Sequence, residues 1–125
     1  MNVVDSSGWL EYFTNSPNAS AFAPAIEDLA RLAVPSIVVL EVFKKTFRER
    51  GELNAFTAAA LMRKGRVIPL EESLALDAAM LGLEHRLPLA DSIILATARS
   101  LRATLWTQDA DFRGLPGVRF FPKRN

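Results

Sequence analysis

The chain of 125 residues has no cysteine, which excludes disulfides, thiolate zinc sites and thiol nucleophiles and agrees with a reducing compartment. It has one histidine, His85, so histidine-rich metal or acid–base chemistry has little to work with. Neither charge sign is in excess, with 15 Lys and Arg against 14 Asp and Glu. Bulk electrostatics therefore give no reason to expect a polyanion, and any such ligand must be held by a local patch. Long apolar runs are missing as well. The most apolar stretches, Val34 to Phe43 and Ser92 to Ala98, are too short or too broken by charge to cross a bilayer, which predicts no membrane association. The start, Met1-Asn2-Val3-Val4-Asp5, lacks the basic residues and apolar run of a signal peptide, so the expectation is a cytoplasmic protein.

What is present is apolar content: 50% of residues are hydrophobic, enough to fill the core of one domain and to leave apolar surface for a partner. Met1 to Val4 reads as a buried strand. A helix follows, capped by Ser6 or Ser7, with Trp9, Leu10 and Phe13 at helical spacing. After the turn Asn15-Ser16-Pro17-Asn18, a second helix is expected over 19–31 with Pro24 near its first turn. Residues 32–35 form a strand ending at Pro35, and Ser36 can cap a helix running to Gly51. Further helices are expected over 53–63, 72–84 and 90–101, with strands at 66–70, 103–107 and 118–121. Strands alternating with helices indicate a parallel sheet covered on both faces. The expected architecture is a single three-layer α/β/α domain over residues 1–125, with a central, mainly parallel five-stranded sheet.

The acids fall at particular places on this frame. Asp5 ends the first strand and Asp109 lies just past the fourth, in Thr107-Gln108-Asp109-Ala110-Asp111-Phe112. Glu41 lies about a turn into the helix after the second strand, and Asp91 begins the helix that feeds the fourth. Open parallel sheets bind ligands beyond the carboxyl ends of strands where the strand order reverses. If the first and fourth strands meet there, Asp5 and Asp109 face one crevice. Two carboxylates about 4 Å apart at an effective dielectric of about 20 repel by roughly 4 kcal/mol, relieved by a proton or a bound cation. Oxygen ligands without His or Cys suit Mg²⁺ or Mn²⁺ rather than Zn²⁺. Such an ion can activate water and clamp a phosphate oxygen, so phosphodiester hydrolysis is the natural chemistry.

Each acid also has a plainer reading. Asp91 can be a helix N-cap, Asp5 can cap the first helix, and Asp109 and Asp111 can be turn formers. Glu41 can pair with Lys45 one turn on, worth roughly 0.2–0.5 kcal/mol. Four acids near one edge make a joint coincidence less attractive than a site.

Four segments in order resemble the PIN-domain family and, within it, the VapC toxins. Val3-Val4-Asp5-Ser6-Ser7 with Trp9-Leu10-Glu11-Tyr12-Phe13 resembles the family's opening strand and helix. Pro35-Ser36-Ile37-Val38-Val39-Leu40-Glu41 resembles its second motif, and Leu87-Pro88-Leu89-Ala90-Asp91-Ser92-Ile93-Ile94-Leu95-Ala96-Thr97-Ala98 its third. Leu105-Trp106-Thr107-Gln108-Asp109-Ala110-Asp111-Phe112, then Leu115-Pro116-Gly117-Val118, resembles the closing motif. The resemblance implies a PIN fold and a catalytic quartet of Asp5, Glu41, Asp91 and Asp109, with Asp5, Asp91 and Asp109 as metal ligands. It implies Ser6 and Thr107 as supporting polar residues, with Asp111 as a helper. It further implies Mg²⁺- or Mn²⁺-dependent endonucleolytic cleavage of RNA, a homodimer, and silencing by a small antitoxin protein.

On this reading a metal-activated water attacks phosphorus in line, leaving a 5′-phosphate and a 3′-hydroxyl. Lys44, Lys45 and Arg48 share a helix with Glu41 and are candidate contacts to RNA phosphates; the plainer reading is a solvated face pairing with Glu49 and Glu52. Arg63, Lys64 and Arg66 form a second basic group. Trp9, Tyr12 and Phe13 read as core residues, some of which can line an antitoxin groove or a dimer surface. A Ser7–His85–Asp91 hydrolase triad is set aside, because no nucleophile-elbow sequence surrounds Ser7. A receiver-type signalling domain fails for want of an acid pair after the first strand and a lysine on the last. A PIN-like scaffold that binds RNA or protein without cutting is the remaining alternative, and four mutually repelling acids argue against it.

Overall fold

The computed structural model describes every residue from Met1 to Asn125. Five strands form one sheet: β1 (Asn2–Val4), β2 (Leu32–Pro35), β3 (Arg66–Ile68), β4 (Thr104–Thr107) and β5 (Val118–Phe120). All pairings are parallel, in the order β3-β2-β1-β4-β5. Parallel strands need crossovers, and helices supply most of them: α1 (Ser6–Phe13), α2 (Ala19–Ile26), α3 (Ser36–Arg50), α4 (Glu52–Met62), α5 (Glu72–His85) and α6 (Leu89–Ser100). The three-layer α/β architecture expected from the alternation is the one observed.

The central strands are buried on both faces, which is why they read as continuous apolar runs. Val3, Val4, Leu32, Ala33, Val34 and Leu105 are all fully buried, packed with Trp9, Phe22, Val38, Ile94 and Phe112. From β1 the chain adds strands on one side to β3, then returns through α5 and α6 to place β4 on the other side of β1. The strand order therefore reverses between β1 and β4, where Val4 is in register with Trp106. A crevice opens beyond the carboxyl ends of such a pair, and Asp5 and Gln108 are the next residues of the two chains.

Local readings changed in four places. The helix expected over 19–31 ends at Ile26, and a separate 3-10 turn covers Leu29–Arg31. Pro24 lies inside α2, not in its first turn. It removes the donor that would serve the Ser20 carbonyl; both residues are exposed, so water can take that place. Ser36 begins α3 without capping it. The cap of α1 is neither Ser6 nor Ser7 but Asp5, whose side chain accepts a hydrogen bond from the Gly8 N–H. Between α3 and α4 the single residue Gly51 makes the connection at φ +88°, a conformation that favours glycine.

Candidate active site

Asp5 leaves β1 and caps α1 in the same residue. It is 2% exposed, and three donors reach it. Ser7 Oγ donates to Oδ1 at 2.7 Å, the Gly8 N–H donates to Oδ1 at 3.0 Å, and Thr107 Oγ1 donates to Oδ2 at 2.6 Å. Burial outweighs these hydrogen bonds, the nearby Asp109 charge adds a smaller push in the same direction, and the Asp5 carboxyl is raised to about 6. Thr107 also accepts from the Asp109 N–H at 2.9 Å, so one hydroxyl fixes the end of β4 and the Asp5 carboxylate together.

Gly8 is a site residue that its sequence position did not reveal. A Cβ there would stand 2.6 Å from Val4 Cγ1 and 2.8 Å from the Phe22 ring. Only a glycine lets α1 start close enough to β1 for its N–H to reach Asp5.

Asp109 turns the chain after β4, its side chain accepting from the Asp111 N–H at 2.9 Å. The turn-former reading of Asp109 is thus correct as far as it goes. The same turn directs Asp109 and Asp111 toward Asp91, and one carboxylate oxygen from each of the three lies within 4.8 Å of the others. Asp91 is the third residue of α6 and does not cap it. Its half-buried carboxyl is raised to about 8, first by burial, then by the Asp109 charge and a hydrogen bond to Asp109, with Asp5 and Asp111 adding to the repulsion. Its place in the first turn of α6, at the positive end of the helix dipole, favours the anion but does not offset this crowding.

The structure thus sorts the expected acids. Asp91 and Asp109 are brought together with Asp111, which the sequence reading had only as a helper. Asp5 adjoins them electrostatically, with most of its acceptor capacity already used. Glu41 is not in the three-carboxylate group; Ser6 Oγ donates to its Oε1 and ties α1 to α3. Glu41 makes no ion pair with Lys45, and the described ion pairs are Arg31–Asp28 and His85–Glu84. His85 stays in the last turn of α5 beside Glu84, with no part in a triad. Lys44, Lys45 and Arg48 are all exposed, and of the three Lys45 lines a groove that also includes Ser7.

A second set of polar residues braces this edge from behind. Gln108 Nε2 donates to Glu11 Oε1 at 3.0 Å, and Asn18 Nδ2 donates to Gln108 Oε1 at 3.0 Å. The Asn18 N–H donates to Glu11 Oε2 at 2.8 Å, and the Gln108 N–H reaches Ser7 Oγ at 3.3 Å. The β4 end is thereby pinned to α1 on both sides of Gln108.

The PIN domain family model matches residues 3–118. The chain belongs to the PIN-domain family. Among solved structures it is similar to a toxin–antitoxin complex from Klebsiella pneumoniae, at 25% identity and a TM-score of 0.79, covering 98% of this chain and 100% of that one. It also resembles VapC20 of Mycobacterium tuberculosis, described as a sarcin–ricin-loop-cleaving toxin, at 18% identity and TM-score 0.79, covering 93% and 95%. VapBC2 of Rickettsia felis, bound to promoter DNA, aligns at 18% identity and TM-score 0.75 over 97% of each chain. At that identity the last two show a shared fold. No curated protein matches at the sequence level.

Proposed function

We propose that this protein is a divalent-metal-dependent endoribonuclease, the toxin of a toxin–antitoxin pair, working as one PIN domain over residues 1–125. The observation that carries the reading is the convergence of Asp91, Asp109 and Asp111 at the β1/β4 switch point, beside buried Asp5. A scaffold that only binds gains nothing from an acid raised to about 8 by burial and by its acidic neighbours.

The residues fit a hard cation. The donors are all carboxylate oxygens, close enough to share one ion, and carry more negative charge than their surroundings neutralise. Asp91, Asp109 and Asp111 would hold it, and Mg²⁺ or Mn²⁺ suits the donor set. When bound, the ion supplies a polarised water and charge compensation at the scissile phosphate. The chain's own residues do the rest. Thr107 and Ser7 hold Asp5 in one rotamer, and the second lone pair of Asp5 Oδ2 is left to orient water. Glu41, held by Ser6, flanks the crevice from α3, where it orients solvent or a second cation. Water forms the new P–O bond as the P–O3′ bond breaks and the 3′-oxygen takes up a proton, so the products carry a 5′-phosphate and a 3′-hydroxyl and the 2′-hydroxyl takes no part.

Structural neighbours solved as toxin–antitoxin complexes support an antitoxin partner. An apolar groove of about 210 Å³ beside α1, lined by Trp9, Tyr12, Phe13, Ile26 and Leu61, is the seat we assign to an antitoxin helix. Trp9, one of its lining residues, has a buried indole N–H with no hydrogen-bond partner. A homodimer would cover Leu76, Met80, Leu83 and Leu89, which are 61%, 63%, 84% and 80% exposed on α5 and α6. No helix is long and apolar enough to cross a membrane, and a cytoplasmic site of action is part of the proposal. The test is cleavage of an end-labelled RNA pool by purified protein with Mg²⁺, with Mn²⁺ and with a chelator, beside Asp5→Asn. Cutting that requires metal and that the variant lacks is the expected result. Folded, antitoxin-free protein that neither cuts RNA nor binds Mn²⁺ would overturn it.

A further inference from the structure

The hydroxyl of Ser7 looks two ways. It donates to Asp5, and it also lines a groove of about 500 Å³ that leads away from the acids between α1, α3 and the segment after β5. Three cations line that groove: Lys45 from α3, and Lys123 and Arg124 from the terminal segment. Thr14 and Ser16 also line it, their hydroxyls bonded to each other and that of Thr14 donating to the Leu10 carbonyl. The terminal segment is tied down, because Asn18 Nδ2, in a buried residue, donates to the Pro122 carbonyl at 2.9 Å. That bond belongs to the same network that holds Gln108, so the two terminal cations are anchored to the frame that fixes the β4 end. Of the two acids in the groove, Glu11 is occupied by Gln108 and Asn18, which leaves Glu49 as the acid not so engaged.

Cationic side chains along a groove are the donors that hold phosphates, and no aromatic side chain lines this one to stack a base. We infer that this groove carries the single-stranded phosphodiester backbone of the substrate away from the acids, with Lys45, Lys123 and Arg124 on its phosphates and without reading bases. The inference rests on the nuclease reading above and adds the path of the substrate. It takes Lys45 alone from the first basic group of the sequence and nothing from the second. Arg63, Lys64 and Arg66 precede or begin β3, at the amino end of the parallel strands, on the opposite edge of the sheet from the acids.

That separation supplies the control. RNA binding is measured in the Asp91→Asn background, so that nothing is cut, with labelled oligo(U) and oligo(A) over a series of salt concentrations. Neutralising three phosphate contacts on a single strand should lower the slope of log affinity against log salt by about 2. The groove triple variant Lys45→Gln, Lys123→Gln, Arg124→Gln is expected to show that loss equally on both oligomers. The charge-matched Arg63→Gln, Lys64→Gln, Arg66→Gln variant is expected to keep the parental slope. An unchanged slope in the groove variant, or the same change in both variants, overturns the path; the groove would then fall to an acidic protein segment or to no polyanion. A change on one oligomer alone overturns backbone reading. If the native chain still cuts RNA in those cases, the nuclease reading stands without the path. If the native chain cuts no RNA and the parent binds none, that reading falls and the path with it.

Discussion

The two halves of the acidic crevice are built on opposite principles. Around Asp5 the carboxylate is met by a serine, a threonine and a backbone N–H, all supplied by β4 or the start of α1. Around Asp91 the nearest partners are other acids, and the carboxyl is driven to about 8 where Asp5 reaches only about 6. The first half is satisfied by the protein itself, and the second is left short of positive charge. A chain that spends hydrogen bonds on one acid and leaves three others facing each other separates a positioning element from a ligand set.

That division can be broken from either side. Removing a ligand should have the largest effect: Asp91→Asn is expected to reduce RNA cleavage by more than about a hundredfold, since even outer partners of metal ligands cost about 10- to 100-fold. Initial rates at saturating Mn²⁺ check this, with circular dichroism confirming the fold. Thr107→Val removes a positioning partner of both Asp5 and Asp109, so a loss of about 10- to 100-fold is expected. It should also lower stability by about 1–3 kcal/mol, read from denaturant titration, because it strands a buried acceptor.

Gly8→Ala attacks the geometry instead of the chemistry. Its Cβ would overlap Val4 and Phe22, and a destabilisation of about 1–3 kcal/mol is expected, with activity falling along with it as α1 moves away from Asp5. The last effect is on the pH dependence of stability. A carboxyl raised in the folded state binds its proton more tightly there than in the unfolded chain. Metal-free protein should therefore be most stable at the acid end and lose stability as pH rises from about 4 through about 8, in two overlapping steps from Asp5 and Asp91. Thermal melts across that range with a chelator should slope downward, and Mn²⁺ should flatten the slope. A flat metal-free profile would mean that the acids are not crowded in solution.

Much of this was legible in the chain. The strand–helix alternation predicts the parallel sheet, because buried strands read as short continuous apolar runs and amphipathic helices as a period of about 3.6 residues. Asp5 and Asp109 could be placed at one edge because Asp5 directly follows β1 and Asp109 lies two residues past the end of β4. Asp111 could not be ranked, since its position depends on the 3-10 turn that Asp109 caps and not on a period. Gly8 was silent for a different reason: the need for a missing Cβ appears only when β1 and Phe22 are packed around it. The Glu11–Gln108–Asn18 brace joins residues some 90 positions or more apart, and paired polar side chains at that separation leave no pattern in one sequence. Pro24 shows the reverse failure, a strong local rule overridden because both groups it would offend lie in solvent.

The central claim is that Asp91, Asp109 and Asp111 hold the ion on which cutting depends. Its most direct test is calorimetric titration of Mn²⁺ at pH 7 in two buffers of different ionisation enthalpy. With Asp91 near 8, binding should release close to one proton per ion, and Asp91→Asn should lose both the binding and the proton. Binding of undiminished affinity in Asp91→Asn, with no proton released in either protein, would contradict it.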